Sequence, residues 1–298
     1  MYAARENLST LIVEKSAVGG QAGVTERFDN YPGFPEGIGG AELAARFAQQ
    51  ASRYGVEMLQ AVSVEGFIRE EMDGAYSGLS VTLSTGATVR ANALLLATGS
   101  TYRRTGAAGE EDLIGAGIHF CATCDGPFYK GAENIVVLGG GNSGLEEGLF
   151  LTQFAQRVTV IERSGQLLGS KLLQEKVQNH PQMAVVLNQS VQRFVANEQG
   201  KLASVETIDL RTDMPSSFPA SGAFVFIGLD PNTQWLNGAV ELDGRNFVAT
   251  DQMFQTSVEG VFAAGDVRAG STKQLASAVG EGAAAAIQIR YFLDRRFG

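Results

Sequence analysis

With 23 basic and 32 acidic residues among 298, the chain carries a net charge of −9, which excludes generic nucleic-acid binding and attraction to an anionic membrane surface. No apolar run approaches the ~18 residues of a membrane helix, and the N-terminal stretch lacks the basic-then-apolar pattern of a signal peptide. The length fits about two domains, each with a core of its own.

Residues 1–8 read as the end of a helix, and 10–14 as a short apolar strand stopping at Glu14. Glycine and proline make loops of 18–21, which holds Gly20 and Gln21, and of 30–35, which opens with Asn30. Leu43, Phe47 and Ala51 set a helical period over 40–54. Residues 56–91 alternate, with turns at Asp73-Gly74 and Thr85-Gly86, and 93–97 form a fully apolar strand that runs into Thr98 and Gly99. The scheme then repeats: a strand over 134–138, a turn with Gly139, Gly141 and Gly144, a helix reaching Ala155, and a strand over 158–162 ending in Glu162. A helix over 171–179, strand pairs around Gln199-Gly200 and an apolar strand over 223–228 close the second copy. The tail holds one more apolar strand, 261–264, running into Gly265-Asp266, and an alanine-rich helix over 275–292. Too small to make a domain alone, the tail is expected to return to the first copy. The fold class is therefore α/β, with two Rossmann-like dinucleotide-binding domains of related plan. The first is expected over 1–103 and 229–298, and the inserted second over 104–228.

When Glu162 is set on Glu14, the three glycines of the second copy fall before Met1. The first copy thus lacks its opening strand and glycine turn in this sequence. We expect both immediately upstream of Met1 in the native product, because a parallel sheet short of a central strand leaves edges unpaired.

Cys121 and Cys124 are the only cysteines. A structural zinc site takes four ligands, and the chain adds only His119 and His180, so no metal is expected. Two buried structural thiols are the bland alternative, against which their clustering argues. A redox dithiol fits best: Cys-x-x-Cys closes a small, readily reduced disulfide and lowers one thiol's pKa. Asp125, next in the chain, would exchange a proton with a departing thiolate. Such a pair in an unexported chain fits the reducing cytoplasm. His119 precedes the dithiol and reads as an ordinary packed or exposed histidine, or else one that tunes it, Trp235 as structural, and Phe297 as a fraying tail aromatic, or else one that covers a cofactor.

Gly139-x-Gly141-x-x-Gly144 is specific in its context, since a strand precedes it, a helix follows, and an acid ends the next strand. Its glycines allow the tight turn, backbone approach to a pyrophosphate, and close helix packing; a turn that packs but binds nothing is the lesser alternative. Glu162 would accept from a ribose 2′-hydroxyl and repel a 2′-phosphate. Glu14 would serve the ribose of a second adenine dinucleotide, and Gly265-Asp266 would supply a ribityl or phosphate contact.

The dithiol stretch, the 139–147 run, Asn30-Tyr31-Pro32-Gly33, Ala97-Thr98-Gly99, Gly228-x-x-Pro231-Asn232-Thr233 and Ala264-Gly265-Asp266-Val267 together resemble the low-molecular-weight thioredoxin reductases. These are of the pyridine nucleotide-disulfide oxidoreductase type, and the resemblance covers nearly the whole chain. It implies FAD in the discontinuous domain, contacted by Glu14, Gly20, Gln21, Asn30, Thr98, Gly99, Gly265, Asp266 and Gln274. It also implies a cytoplasmic homodimer whose inserted domain, with its nucleotide site at Gly139, Gly141, Gly144 and Glu162, rotates. In that scheme Cys124 faces the flavin, Cys121 attacks thioredoxin, and Asp125 is the acid. One departure bears on the donor: the family's His-Arg-Arg run with a later Arg reads here Glu162-Arg163-Ser164 with Leu168. NADPH is therefore disfavoured. Two relatives share the loss: the flavoprotein component of alkyl hydroperoxide reductase, which uses NADH, and the ferredoxin-dependent flavin thioredoxin reductases. Ferredoxin is slightly favoured, with Phe297 on the nicotinamide face and a docking patch from Arg103, Arg104, Arg290, Arg295 and Arg296. A degenerate relative that binds without turnover is the remaining alternative.

Overall fold

The computed structural model describes residues 1–25, 28 and 30–298, and the chain forms two compact units: Met1–Thr101 with Asp230–Gly298, and Tyr102–Leu229. In the first unit, strands Leu11–Glu14 and Glu57–Gln60 pair in parallel. Leu94–Leu96 and Val261–Ala263 make a second parallel pair. An antiparallel sheet follows the order Val64–Met72, Ala75–Leu83, Thr88–Ala91. Its period-two pattern turns Leu79, Val81 and Leu83 inward while Ile68 and Met72 face out. The long helix Leu275–Phe297 buries Ala285, Ala286, Ile289 and Phe292, a stripe at helical spacing. That stripe closes on Leu79, Leu96, Val261 and Phe262 to make the unit's core.

Two expectations for this unit fail. Residues 20–24 are a short helix, Gly20–Val24, and not a loop. Gly19 enters it at φ 120° and lies so close to helix Gly40–Ser52 that an added Cβ would sit 2.8 Å from the Ala44 methyl. Close approach therefore selects glycine at position 19, while Gly20 is set by its positive φ of 49°. The C-terminus does not fray either: the last helix continues to Phe297, whose ring packs 6.1 Å from that of Tyr76. Arg296 reaches Glu259 at 3.5 Å, and Glu259 also takes Arg69 at 2.9 Å. Burial, with the Glu259 charge, pushes the Tyr76 phenol up to about 12.

The second unit is built on a five-stranded parallel sheet in the order Met183–Val186, Ala155–Ile161, Ala132–Leu138, Gly222–Val225, Ile118–His119. Both faces are covered, so these strands read as continuous apolar runs. Ile135 and Val137 enter one core with Val158 and Phe224, while Val136 and Leu138 enter the other with Ile161 and Val225. Each such side chain contributes about 1.5–3 kcal/mol when fully buried. Helices Asn142–Leu151 and Lys171–Gln178 follow the two central strands, and Gln189–Ala196, Leu202–Asp209 and Pro215–Pro219 form an antiparallel excursion. The helix expected to reach Ala155 ends at Leu151. Amides of Gln153 and Phe154 bond back three residues, at 3.2 and 3.0 Å, tightening the last turn so that Ala155 already starts the next strand.

Candidate active site and cofactor sites

Cys121 and Cys124 are joined in a disulfide, their Cα atoms 5.3 Å apart, at the start of the one-turn helix Ala122–Asp125. The edge strand Ile118–His119 delivers them at its carboxyl end. The Cys124 N–H donates to Cys121 Sγ at 3.2 Å, and the Thr123 hydroxyl lies 3.4 Å from the same sulfur. Donors at a sulfur favour its thiolate, so the opened bond would leave Cys121 the better nucleophile. Cys124 is buried and Cys121 only partly so. Asp125 is tied back by its N–H to the Cys121 carbonyl at 3.1 Å, and its Oδ1 lies 3.5 Å from His119 Nδ1. His119 Nε2 in turn is 2.6 Å from Tyr129 Oη, and the imidazole leans on the Phe224 ring. His119 is thus neither exposed nor merely packed. Local sequence gave no signal of this, because Tyr129 arrives ten residues later on the 3-10 helix Gly126–Tyr129. Among the described residues, no group of three His, Cys, Asp or Glu side chains is arranged to hold a metal.

The glycine turn divides its three tasks visibly. Gly139 adopts φ 112° with the Phe226 carbonyl oxygen 2.5 Å from where a Cβ would stand. Gly144 faces the Gly139 carbonyl so closely that a methyl group would collide with it. Gly141 opens onto empty space, as a backbone that receives a pyrophosphate must. Glu162, at the end of strand Ala155–Ile161, is buried. One of its oxygens accepts the Gly140 N–H at 2.5 Å, and the other accepts the Ser164 N–H at 2.7 Å. The acid therefore holds its own turn closed. Leu168 is 62% exposed, and its amide bonds the Gly140 carbonyl at 2.8 Å.

In the first unit Glu14 repeats the device, its carboxylate accepting the Ser16 N–H at 2.8 Å. Gln21 donates to the Ser100 carbonyl. Thr98 donates to the Asn232 carbonyl at 2.9 Å, and the Gly99 carbonyl accepts from the Asn232 amide at 3.0 Å. Asn30 donates to Gln274 Oε1 at 3.2 Å. Gly20, at φ 49°, starts the short helix that carries Gln21. The Gly265–Asp266 corner is held by residues the sequence did not single out. Glu281 accepts the Gly265 N–H at 2.8 Å while Arg268 grips both its oxygens at 3.0 and 2.7 Å, and Lys273 Nζ donates to the Asp266 carbonyl at 2.6 Å. Asp266 Oδ1 is buried with no hydrogen-bond partner among the described residues. Burial pushes that carboxyl up, Lys273 opposing. A buried acceptor without a donor from the chain fits a ligand that brings a hydroxyl, as the ribityl chain of FAD does.

Two supports for ferredoxin weaken. Phe297 rests on Tyr76 and is not a free tail aromatic. Of the arginines proposed as a docking patch, Arg104 faces Glu111 at 4.0 Å, Arg290 pairs with Asp294 at 2.8 Å, and Arg296 with Glu259 at 3.5 Å.

Residues 1–282 match the family model described as pyridine nucleotide-disulphide oxidoreductase. The chain is 35% identical over 294 residues to the thioredoxin reductase of Bacillus subtilis (strain 168), covering 99% of this chain and 90% of the relative. It is 37% identical to that of Treponema pallidum (strain Nichols), covering 98% and 92%. A crystal structure of thioredoxin reductase from Streptococcus pyogenes MGAS5005 matches with a TM-score of 0.89 at 33% identity, over 99% of this chain and 93% of that one. The chain belongs to the pyridine nucleotide-disulphide oxidoreductase family. Within it, the chain falls among the low-molecular-weight thioredoxin reductase relatives and is a flavoprotein disulfide oxidoreductase with FAD as cofactor. No helix among the described residues is long and apolar enough to cross a membrane.

Proposed function

We propose that the protein reduces the disulfide of a thioredoxin through Cys121 and Cys124, with an electron donor other than NADPH. The observation that carries this reading is the Cys121–Cys124 disulfide beside Asp125, with Cys121 partly exposed and Cys124 buried. When bound, FAD would supply the electron pair that opens this disulfide. In the chain, Gly265, Asp266, Gln21, Asn30, Thr98 and Gly99 would hold the cofactor, with Gln274 orienting Asn30 and Glu14 serving the ribose. Cys121 attacks the partner disulfide, Cys124 resolves the mixed disulfide, and Asp125 supplies a proton to the departing sulfur. A homodimer is supported by Val279, Ile287 and Tyr291, exposed along one face of the last helix.

Charge supports the donor half. A 2′-phosphate carries about −1.5 to −2 and would meet Glu162 with no basic residue at 164 or 168. At ~6 Å and an effective dielectric of ~20, each unit pair repels by about 3 kcal/mol before salt screening. The open Gly141 supports NADH, while ferredoxin rests on the missing basic cluster and is the second donor to test. Anaerobic flavin reduction by NADPH, NADH and reduced ferredoxin, run in parallel, decides among them. Bleaching by micromolar NADPH overturns the donor half, and failure of every donor to support thioredoxin reduction overturns the substrate half.

A further inference from the structure

The scheme above leaves His119 without a role, although it stands between two titratable groups. Its Nδ1 lies 3.5 Å from Asp125 Oδ1, within ion-pair range, and its Nε2 lies 2.6 Å from Tyr129 Oη. The imidazole is 11% exposed, and the strand beside it sets the apolar ring of Phe224 against it. Asp125 comes from helix Ala122–Asp125 and Tyr129 from the 3-10 helix after it. On its own strand the imidazole is followed, after Phe120, by the dithiol.

We propose that His119 is a positioning residue that holds the proton Asp125 delivers, so that dithiol-driven disulfide reduction depends on pH through His119; this rests on Asp125 being the acid. The need for such a partner is arithmetic. An ordinary aspartic acid, with a pKa of ~3.9, keeps its proton in roughly one molecule in a thousand at pH 7, whereas an ordinary histidine, at ~6.5, keeps one in about a quarter. A proton donor works best when its pKa lies near the operating pH, and His119 sets a second proton-carrying group 3.5 Å from the Asp125 carboxylate. Tyr129 makes both charge states tolerable. With neutral His119 its hydroxyl donates to Nε2, while the proton stays on Nδ1, 3.5 Å from Asp125 Oδ1. With the imidazolium, Nε2–H donates to the same hydroxyl oxygen.

The step balances without a further reagent. The Cys121 thiol gives its proton to the His119–Asp125 pair, and its thiolate forms a bond to one sulfur of the partner disulfide, whose S–S bond breaks. The leaving sulfur takes the electron pair and accepts a proton from Asp125, which is replenished from His119. The Cys124 thiol then loses its proton to the pair and displaces the second partner sulfur from Cys121, and that sulfur takes the proton up. Cys121 and Cys124 end oxidised and the partner ends as a dithiol. Both protons that leave with the partner come from the two thiols.

The test uses flavin-loaded holoenzyme with its dithiol reduced chemically, so that the natural donor does not enter. It is mixed with oxidised thioredoxin in a stopped-flow instrument between pH 5.5 and 9. The wild-type rate should fall as pH rises across this range. His119→Gln should lose that fall and be at least about tenfold slower at pH 6, converging on wild type above pH 8. His119→Asn keeps an N–H beside Asp125 but carries no proton, and it should behave as His119→Gln. Should either variant load flavin poorly, the other, checked by its flavin-to-protein ratio, carries the test. A wild-type pH profile in a flavin-replete His119 variant overturns the proposal. An unchanged profile in Asp125→Asn would instead remove the acid on which it rests.

Discussion

Replacing Asp266 by asparagine should move two measurements in opposite directions. Asp266 Oδ1 is buried without a donor among the described residues, so the carboxylate is a liability until a ligand hydroxyl reaches it. A hydrogen bond to a charged group contributes about 1.5–3 kcal/mol and one to a neutral amide about 0.5–1.5. The variant should therefore bind FAD about 1–2 kcal/mol more weakly, roughly five- to thirtyfold in Kd. The apoprotein should be stabilised, by about 1 kcal/mol, because the desolvated charge is gone. The pH dependence has a definite sign. Burial raises this carboxyl in the folded chain above its unfolded value, so the folded form keeps the proton to higher pH than the unfolded form does. Its contribution is most favourable below the unfolded pKa of ~3.9, and declines as pH rises through the folded value. Melting of wild-type and Asp266→Asn apoprotein between pH 4 and 7, with FAD titrations at pH 7, reads all three effects. Unchanged FAD affinity, or an apoprotein that melts lower than wild type at neutral pH, would refute the reasoning.

The other expected outcomes are equally direct. Gly144→Ala should lower the melting temperature, since its methyl meets the Gly139 carbonyl and overpacking costs about 1–3 kcal/mol; Gly141→Ala, facing open space, should melt like wild type and lose pyridine-nucleotide binding, and a reversed pattern would contradict the division of labour in the turn. Cys124→Ser should keep its flavin and lose thioredoxin turnover, which a steady-state assay with any competent donor reads; parental turnover would end the dithiol assignment. Asp125→Asn should slow thioredoxin reduction by roughly 10²–10⁴, the span of general acid–base catalysis, and unaltered kinetics would remove it from the mechanism.

What was legible in the sequence was what local sterics enforce. The runs at 134–138 and 158–161 are apolar throughout because each successive side chain enters one of two cores. Gly139, Gly141 and Gly144 each answer a different spatial demand, so their spacing is informative even without a ligand. Tertiary approach is what the sequence concealed. Helix Gly20–Val24 hides among the glycines that let it lie against helix Gly40–Ser52. Phe297 looks like a loose end until Tyr76 is brought beneath it by an antiparallel sheet more than 200 residues earlier in the chain. His119, Lys273 and Glu281 carry no motif at all, because each acts on a neighbour supplied by another element.

Glu162 joins the two kinds of information, and it shows where a change of donor preference has to be made. As a charge at a strand end it argues against a 2′-phosphate, which suggests Glu162→Arg as the remedy. The structure argues otherwise, since both carboxylate oxygens close the turn through the Gly140 and Ser164 amides. Arginine accepts nothing, so two buried donors would lose their acceptor at about 1–3 kcal/mol each, beside a buried guanidinium. Leu168 is the better position: its side chain is 62% exposed, and its place in the turn depends on its backbone amide alone. Leu168→Arg should leave the melting temperature within the small range of surface substitutions, ±0.5 kcal/mol or about that. One charge-assisted bond to a 2′-phosphate, about 1.5–3 kcal/mol, should tighten NADPH at least about tenfold with Glu162 still in place. Calorimetry of NADPH binding, beside thermal melts of both variants, separates the outcomes. A stable Glu162→Arg protein that gains NADPH, alongside a Leu168→Arg protein that gains none, would mean that the acid acts as a charge only and that its hydrogen bonds to the turn are incidental.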